Sequence, residues 1–247
     1  MEKTPGTAEK TQIYFFPFAG ASFYSYNGLI KEMTAPWLKV KALELPGRGK
    51  KTKEPLLSDI NDMADYFFNQ IKETLSVPYA FYGHSLGSIL AYEVTLKIID
   101  NHIAPPARLF VSGRGGPCVP PKDKDIGTLS REEFHAKLKE YGGTPDEVLR
   151  EKELMDFLEP LLRADFMAAG NYAPEKNRKI PIPVTVFNGT LDNVTREDAF
   201  KWQEITDTPI TFKEFNGGHF FIFDHSKAVW DSIVLRLPSA PILNSMR

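Results

Sequence analysis

Short apolar runs alternate with longer segments of helical periodicity along most of the 247-residue sequence. The runs are rich in aromatic and β-branched residues and end at Gly or Pro, which is typical of buried strands. Strands that alternate with helices favour a mostly parallel sheet with helices on both faces, so we predict an α/β fold. The predicted strands are Gln12–Phe18, Leu38–Pro46, Tyr79–Tyr82, Ala107–Gly113, Pro183–Gly189 and Ile210–Phe215.

The alternation stops between Arg114 and Asn177, where the sequence contains Pro/Gly-rich loops and three helix signals. Ser130–Glu133 and Thr144–Glu147 match the capping-box pattern, the second with Pro at the first helical position. A third helix is predicted over Glu153–Phe166. We therefore expect one domain over residues 1–247, interrupted by a helical insertion at about 114–177.

The composition excludes several classes of partner. Positive and negative residues nearly balance, with a formal net charge of −2, so neither nucleic acid nor an anionic membrane is indicated. No stretch approaches the roughly 18 apolar residues of a membrane span, and residues 1–10 lack the apolar core of a signal peptide. The single cysteine, Cys118, can form no intrachain disulfide, and Cys/His spacings typical of metal sites are absent. We expect a cytoplasmic monomer without metal or organic cofactor.

One stretch, Gly47–Lys53 (GRGKKTK), is markedly basic. The simpler interpretation is a solvated loop. The alternative is a docking patch for an acidic partner.

A serine is bracketed by glycines in Gly83-His84-Ser85-Leu86-Gly87, directly after a predicted strand and before a predicted helix. The G-x-S-x-G pattern alone is weak, but this setting is that of a nucleophile elbow. The turn is tight and the helix must pack close to the strand, so side chains at the two glycine positions would collide. A serine hydroxyl also needs a base and a group that orients the base.

His219 and Asp192 are the candidates for these two roles, because each follows the end of a predicted strand. The carboxyl ends of parallel strands share one edge of the sheet. A lone histidine is more often structural, and Asp192 could be a loop carboxylate. The competing acid Asp198 is explained as the third helical residue after the N-cap Thr195. The order Ser85, Asp192, His219 is that of α/β-hydrolases, and the side chain of His84 is expected to point away from the serine.

An oxyanion hole would use the backbone N–H of Leu86, the residue after the nucleophile, and a second N–H from a loop after an early strand. The segment Phe15–Ser22 (FFPFAGAS) is the source we predict for the second donor. Ala19 is favoured over Phe18, and Gly20 would let the loop approach the substrate. An ordinary turn between strand and helix is the alternative.

These residues resemble the type II thioesterases, stand-alone editing hydrolases of nonribosomal peptide and polyketide synthesis. FFPFAGAS is similar to the F-P-x-A-G-G segment of that family, ELPGRG to its L-P-G-R-G segment, and FYGHSLG to its elbow. YGGTPDEVL and LEPLLRADFMAAGNY resemble its lid helices, and NGTLDNVTREDAFKW and FNGGHFF its acid and histidine segments. The likeness spans nearly the whole chain. Two departures are Ala21, where the family usually has a second glycine, and Phe18, where many members have histidine.

The resemblance implies an α/β-hydrolase fold and a function. Such enzymes hydrolyse short or aberrant acyl thioesters from the phosphopantetheine arm of acyl- or peptidyl-carrier domains, through an acyl-enzyme that would form on Ser85. The helical insertion would be a lid over an acyl channel, although its apolar residues could equally pack on the core. Arg163 and Asp165 are expected either to pair or to be solvated. The candidate lining residues are Phe18, Met155, Phe157, Leu158, Leu161, Leu162, Phe166 and Met167.

Two other functions remain open at the level of sequence. A product-releasing thioesterase or a general acyl-CoA or acyl-ester hydrolase could use the same fold, because fold does not determine substrate. A catalytically silent module that only binds carrier domains belongs to another class. The presence of Ser85, Asp192 and His219 argues against the silent module.

Overall fold

The computed structural model describes residues 11–32, 35–75, 78–175 and 178–237, and its centre is a six-stranded sheet. All neighbouring strands are parallel, in the order β2-β1-β3-β4-β5-β6. The predicted α/β architecture is therefore confirmed. The strands are β1 (Thr11–Phe16), β2 (Leu38–Ala42), β3 (Tyr79–His84), β4 (Leu109–Ser112), β5 (Val184–Gly189) and β6 (Thr211–Phe215).

Helices connect the strands and cover the sheet. Strand direction and strand order together require crossover connections between parallel neighbours, and the helices provide them. The α-helices are α1 (Asn27–Ile30), α2 (Ile60–Ile71), α3 (Leu86–Asp100), α4 (Arg131–Tyr141), α5 (Asp146–Arg150), α6 (Lys152–Asn171), α7 (Arg196–Phe200), α8 (Phe221–Asp224) and α9 (Ser226–Val234).

The sheet is buried on both faces, as the side chains of β1 demonstrate. Tyr14 and Phe16 pack in the core formed with α2 and α3, whereas Ile13 and Phe15 pack in the core formed with α1 and α9. Alternate residues of a strand point to opposite faces, so the continuous apolar run Ile13–Phe16 requires a cover on each side.

The order of the strands positions the functional site. The chain runs from β1 outward to β2 and then returns to place β3 on the other side of β1, with Phe16 paired to Gly83. A crevice opens beyond the carboxyl ends of the strands at such a reversal. The loop after β1 and the loop after β3 both end in this crevice.

The helical insertion lies between β4 and β5, and its described residues contain helices but no strand. They pack around a core of their own that includes Phe134, Leu138 and Met155. The capping box of Ser130 and Glu133 is confirmed. The second predicted box is wrong: α5 begins at Asp146 after Pro145, and no side chain caps it.

Asp165 and Arg163 do not pair with each other, and neither is merely solvated. Arg163 pairs with Glu159, one turn earlier on α6. Asp165 is completely buried and pairs with Arg48, which comes from the basic stretch after β2. The stretch is therefore only partly a solvated loop.

Two expectations concern residues that the structure does not describe. Residues 1–10, which the expectation about a signal peptide concerns, lie outside the described residues, as do residues 176–177 at the end of the helical insertion. Within the described part of the chain, no helix is both long enough and apolar enough to cross a membrane.

Candidate functional site

Ser85 lies at the sharp turn between β3 and α3. Its backbone has φ +54° and ψ −117°, a conformation that costs a non-glycine residue on the order of 1–3 kcal/mol. The Ser85 N–H donates a hydrogen bond to the carbonyl oxygen of Ser112 at 2.8 Å, which ties the turn to the end of β4. Strain of this kind is typical of a nucleophile held out from a strand end.

The two glycines of the elbow are required by close packing. A Cβ atom at Gly83 would lie 2.0 Å from the carbonyl oxygen of Gly87, and one at Gly87 would lie 2.4 Å from that of Phe16. Both distances are far below a van der Waals contact with backbone that cannot move aside. The predicted collision at both glycine positions is confirmed.

His219 and Asp192 are in contact, as expected from their positions after strand ends. The His219 Nδ1–H donates to the Asp192 carboxylate, with distances of 3.1 Å to Oδ1 and 3.0 Å to Oδ2. The Asp192 side chain is 1% exposed and that of His219 10% exposed. Asp192 also accepts the backbone N–H of Val194 at 3.2 Å, which fixes the carboxylate. The contact leaves Nε2 of His219 as the nitrogen available to a substrate.

Asp198 does not take part in this pair. It lies at the start of α7, where it completes a capping box with Thr195. It also forms an ion pair with Lys122 at 3.0 Å. The choice of Asp192 over Asp198 therefore agrees with the geometry.

The position of His84 adds a contact that the sequence analysis did not anticipate. Its ring is completely buried, 4.8 Å from the ring of His219 between centroids. The Nδ1 atom lies 2.9 Å from the Ser112 hydroxyl, and Nε2 hydrogen-bonds to no described residue. Burial, reinforced by the neighbouring His219, holds the pKa of His84 well below its usual value. His84 is thus a neutral neighbour of the His219 ring.

The loop after β1 forms a β-turn over Phe18–Ala21. The Ala21 N–H donates to the Phe18 carbonyl oxygen at 2.9 Å, and Gly20 has φ +79°, as the third residue of a type II turn does. The Gly20 N–H donates to Asp165 Oδ2 at 2.7 Å, so it cannot also serve a substrate. Ala19, which precedes these two hydrogen-bonded amides, lines a cavity together with Ser85. Leu86 is the first residue of α3, where the N–H has no acceptor within the helix.

Two adjoining cavities open at Ser85 and His219. The first, of about 100 Å³, is mainly apolar, and the second, of about 330 Å³, has walls of mixed polar and apolar character. Apolar side chains from the sheet side and from the helical insertion close the first cavity: Phe18, Leu138, Leu162, Phe166 and Phe220. The second cavity is lined by charged and polar groups, including Arg114, Lys122, Asp123, Tyr141 and Asp192.

The expected lining residues of the helical insertion divide into three groups: those at the cavity, those in the core of the insertion and those exposed on the surface. Leu162 and Phe166 line the apolar cavity, as does Phe18. Met155 and Leu158 belong to the core of the insertion itself and line neither cavity at Ser85. Leu161 is buried in that same core, whereas Phe157 and Met167 are exposed. Spacing along α6 cannot separate the cavity group from the core group, because both lie on apolar faces of one helix.

Arg114 and Tyr141 line both cavities but were not among the predicted residues. Nε and Nη2 of Arg114 are buried and hydrogen-bond to no described residue, and burial lowers the pKa of the guanidinium. The Tyr141 hydroxyl donates to Asp123 at 2.9 Å, and its ring lies 5.5 Å from the His219 ring between centroids. Arg114 lies two residues after the end of β4, a position that could have identified it from the sequence.

Comparison with known proteins assigns the family. The model of the thioesterase domain family matches residues 11–235. The chain belongs to the thioesterase family. It is 31% identical to the gramicidin S biosynthesis protein GrsT of Aneurinibacillus migulanus over 241 residues, which cover 95% of this chain and 93% of GrsT.

Solved structures of thioesterases have the same fold. The type II thioesterase BorB from the borrelidin biosynthetic cluster is 31% identical, with a TM-score of 0.84 over 95% of this chain and 96% of BorB. ClbQ from the colibactin NRPS/PKS pathway is 27% identical, with a TM-score of 0.85 over 92% of this chain and 96% of ClbQ. The predicted resemblance to type II thioesterases is confirmed, and this thioesterase is a hydrolase of the α/β-hydrolase fold.

The described part of this thioesterase contains no group of three or more His, Cys, Asp and Glu side chains that could hold a metal ion. The chemistry available at the site is that of a serine, an imidazole oriented by a carboxylate, and backbone N–H groups. Nucleophilic acyl transfer uses these groups.

Proposed function

We propose that this protein is a stand-alone thioesterase that removes short or aberrant acyl groups from the phosphopantetheine arm of carrier domains. Ser85 would be the nucleophile, His219 the general base and Asp192 the orienting acid. The observation that carries the proposal is the hydrogen-bonded His219–Asp192 pair in the cavity that Ser85 lines. The names of similar proteins from peptide and polyketide pathways support the class of substrate.

The first half of the reaction forms an ester on Ser85. The hydroxyl oxygen attacks the thioester carbonyl carbon as its proton passes to Nε2 of His219. Asp192 holds the Nδ1–H and stabilises the imidazolium that results. The carbon–sulfur bond then breaks, and the pantetheine sulfur leaves with the proton from Nε2 as a thiol.

The second half releases the acyl group as a carboxylic acid. Water gives a proton to Nε2 of His219 and attacks the ester carbonyl, and the proton then returns to the Ser85 oxygen. Each half of the reaction passes through a tetrahedral intermediate, and both intermediates carry a negative oxygen. The backbone N–H groups of Ala19 and Leu86 are the donors we propose for it, and such donors contribute about 3–4 kcal/mol each.

The two cavities differ in the part of the substrate that each suits. The apolar cavity, at about 100 Å³, is smaller than an engineered cavity of roughly 150 Å³ that binds benzene. A short acyl chain of fewer than about six carbons matches this volume. The larger cavity, whose walls include charged and polar groups, suits the pantetheine arm, whose amide oxygens can accept hydrogen bonds from the N–H groups of Arg114 that bond to no described residue.

The helical insertion would act as the lid of this site. Leu162 and Phe166 of α6 close the apolar cavity over Ser85. Exclusion of bulk water from the bound thioester strengthens the electrostatic interactions at Ser85. We further propose that the domain acts as a cytoplasmic monomer.

An acidic carrier domain would contact the exposed part of the basic stretch Gly47–Lys53. Arg48 is committed to Asp165, and Lys51 Nζ donates to the Glu44 carbonyl oxygen at 3.1 Å. Lys50 and Lys53 stay exposed. These two lysines are the part of the stretch that could attract a carrier domain.

The test is hydrolysis of acetyl- and hexanoyl-loaded carrier protein, beside the matching acyl-CoA esters, by the wild type and by Ser85→Ala. Carrier-selective turnover that is lost in the variant supports the proposal. Equal turnover of CoA esters would indicate a general acyl hydrolase. Binding of carriers without any turnover would indicate a silent binding module, and turnover by Ser85→Ala would refute the assignment of the nucleophile.

A further inference from the structure

Asp165, on α6 of the helical insertion, makes its contacts outside the insertion. Its Oδ2 accepts from the Gly20 N–H at 2.7 Å and from Arg48 Nη1 at 2.6 Å, and its Oδ1 accepts from Arg48 Nη2 at 2.8 Å. The side chain of Asp165 is 0% exposed and that of Arg48 is 3% exposed. Asp165 therefore joins three segments that are distant in sequence: α6, the loop after β2 and the turn after β1.

The bond to Gly20 constrains the turn that holds the candidate oxyanion donor. The peptide group between Ala19 and Gly20 has its N–H bonded to Asp165, so the rotation of this peptide is limited. Leu162, one turn before Asp165, packs on the same glycine: a Cβ at Gly20 would lie 2.5 Å from Leu162 Cδ2. Residues three apart share a helix face, so one face of α6 holds the turn by a charged and an apolar contact.

We propose that Asp165 is a positioning residue for the reaction. It orients the turn Phe18–Ala21 so that the Ala19 N–H points at the developing oxyanion on the substrate carbonyl. The inference rests on the proposed function. It adds that α6, which also walls the acyl cavity through Leu162 and Phe166, must be docked for the oxyanion site to be complete.

A purely structural role for Asp165 makes a different prediction. If the carboxylate serves only as the counter-ion of Arg48, removal of both charges should leave catalysis intact. Replacement of a buried ion pair by apolar residues of similar size is often neutral or stabilising. The two roles can therefore be separated by removing the pair and varying only the acceptor for the Gly20 N–H.

Two matched double variants make this comparison. R48M/D165L lacks both the ion pair and the acceptor, whereas R48M/D165N lacks the ion pair but keeps an amide oxygen for Gly20. With an acyl-loaded carrier as substrate, we expect kcat of R48M/D165L to fall about 10²-fold, the loss typical of a misplacement of about 1 Å. KM should change little, and R48M/D165N should retain at least about tenfold more kcat than R48M/D165L.

A second readout reports the oxyanion site directly. An alkylboronic acid forms a tetrahedral adduct with a catalytic serine and so probes the transition-state geometry, whereas a thioether analogue of acyl-pantetheine probes ground-state binding. We expect R48M/D165L to lose affinity for the boronic acid in parallel with kcat and to retain affinity for the thioether. Equal kcat in the two double variants, or equal losses for the two ligands, would overturn the proposal.

Thermal unfolding of each variant shows whether it is folded. If R48M/D165L does not fold, R48M/D165N, which removes both charges but keeps an amide oxygen for Gly20, is compared with the wild type instead. R48M/D165N must then retain kcat within about tenfold of the wild type, and a loss of about 10²-fold would refute the positioning role. Wild-type protein that hydrolyses no acyl carrier would instead contradict the proposed function, so the two failures are distinguishable.

Discussion

Phe166 closes part of the apolar cavity beside Ser85, so its size should set the length of acyl chain that the enzyme accepts. Substitution by leucine removes about three carbons from the wall, and each buried methylene contributes about 0.8 kcal/mol. An acyl chain longer by up to three methylenes could then be buried, with a gain of up to about 2.4 kcal/mol. At about 1.36 kcal/mol per factor of ten, this is a shift of up to about 60-fold in specificity.

The assay compares kcat/KM for heptanoyl- and butyryl-loaded carrier protein with wild type and Phe166→Leu. The ratio of heptanoyl to butyryl should rise in the variant, by at most about 60-fold. Loss of the ring contacts with Phe134 and Tyr141 would cost about 1 kcal/mol of stability. That loss affects both substrates equally and does not enter the ratio.

Phe157→Leu is the matched control, because Phe157 lies on the same helix but is 60% exposed. The same change of side chain there should leave the ratio of heptanoyl to butyryl unchanged. An unchanged ratio in Phe166→Leu, or an equal shift in both variants, would refute the assignment of the apolar cavity to the acyl chain.

Three further predictions concern other parts of the molecule. Asp192→Asn should lower kcat by about 10⁴-fold, because an amide no longer fixes the tautomer of His219 or stabilises its cation, and a loss below tenfold would contradict the triad. His84 is neutral when buried but gains a proton on unfolding, so denaturant titrations should show stability falling as pH drops below about 6.5, by up to about 1.4 kcal/mol per pH unit. His84→Asn should lose that part of the slope, and an identical slope would contradict the explanation. Reversal of both Lys50 and Lys53 to Glu should lower kcat/KM for an acyl-loaded acidic carrier about tenfold at low salt and less at high salt. Turnover of the uncharged acyl-N-acetylcysteamine should not change, and an equal effect on both substrates would exclude a docking role.

Local patterns were sufficient for the sheet and for the positions of Ser85, Asp192 and His219. A buried strand is recognisable from its own residues, and parallel strands bring their carboxyl ends to one edge. Residues that follow different strands are therefore neighbours even when they are distant in sequence. The glycines at the elbow were equally predictable, since a sharp turn from strand into helix leaves no space for their side chains.

Patterns within one segment failed where the outcome depends on a partner elsewhere. Thr144 is a residue type that often caps helices, but the residue before α5 is Pro145, and no side chain hydrogen-bonds to the start of the helix. Asp165 was expected to pair locally with Arg163 or to be solvated, yet its partner Arg48 lies 117 residues away. Nothing in the spacing of α6 separates Phe166, which faces the cavity, from Met155, which faces the core of the insertion.

The sequence by itself thus determined the class of fold, the order of the strands and helices and the residues at the strand ends, because these follow from periodicity and from the geometry of parallel sheets. Only the tertiary structure decided the shape of the two cavities, the burial of Arg48 with Asp165 and the contact of His84 with His219. These features depend on how helices cross the sheet and which side chains fill the space between them. Packing of this kind is set by all the elements together and leaves no signal in any single segment.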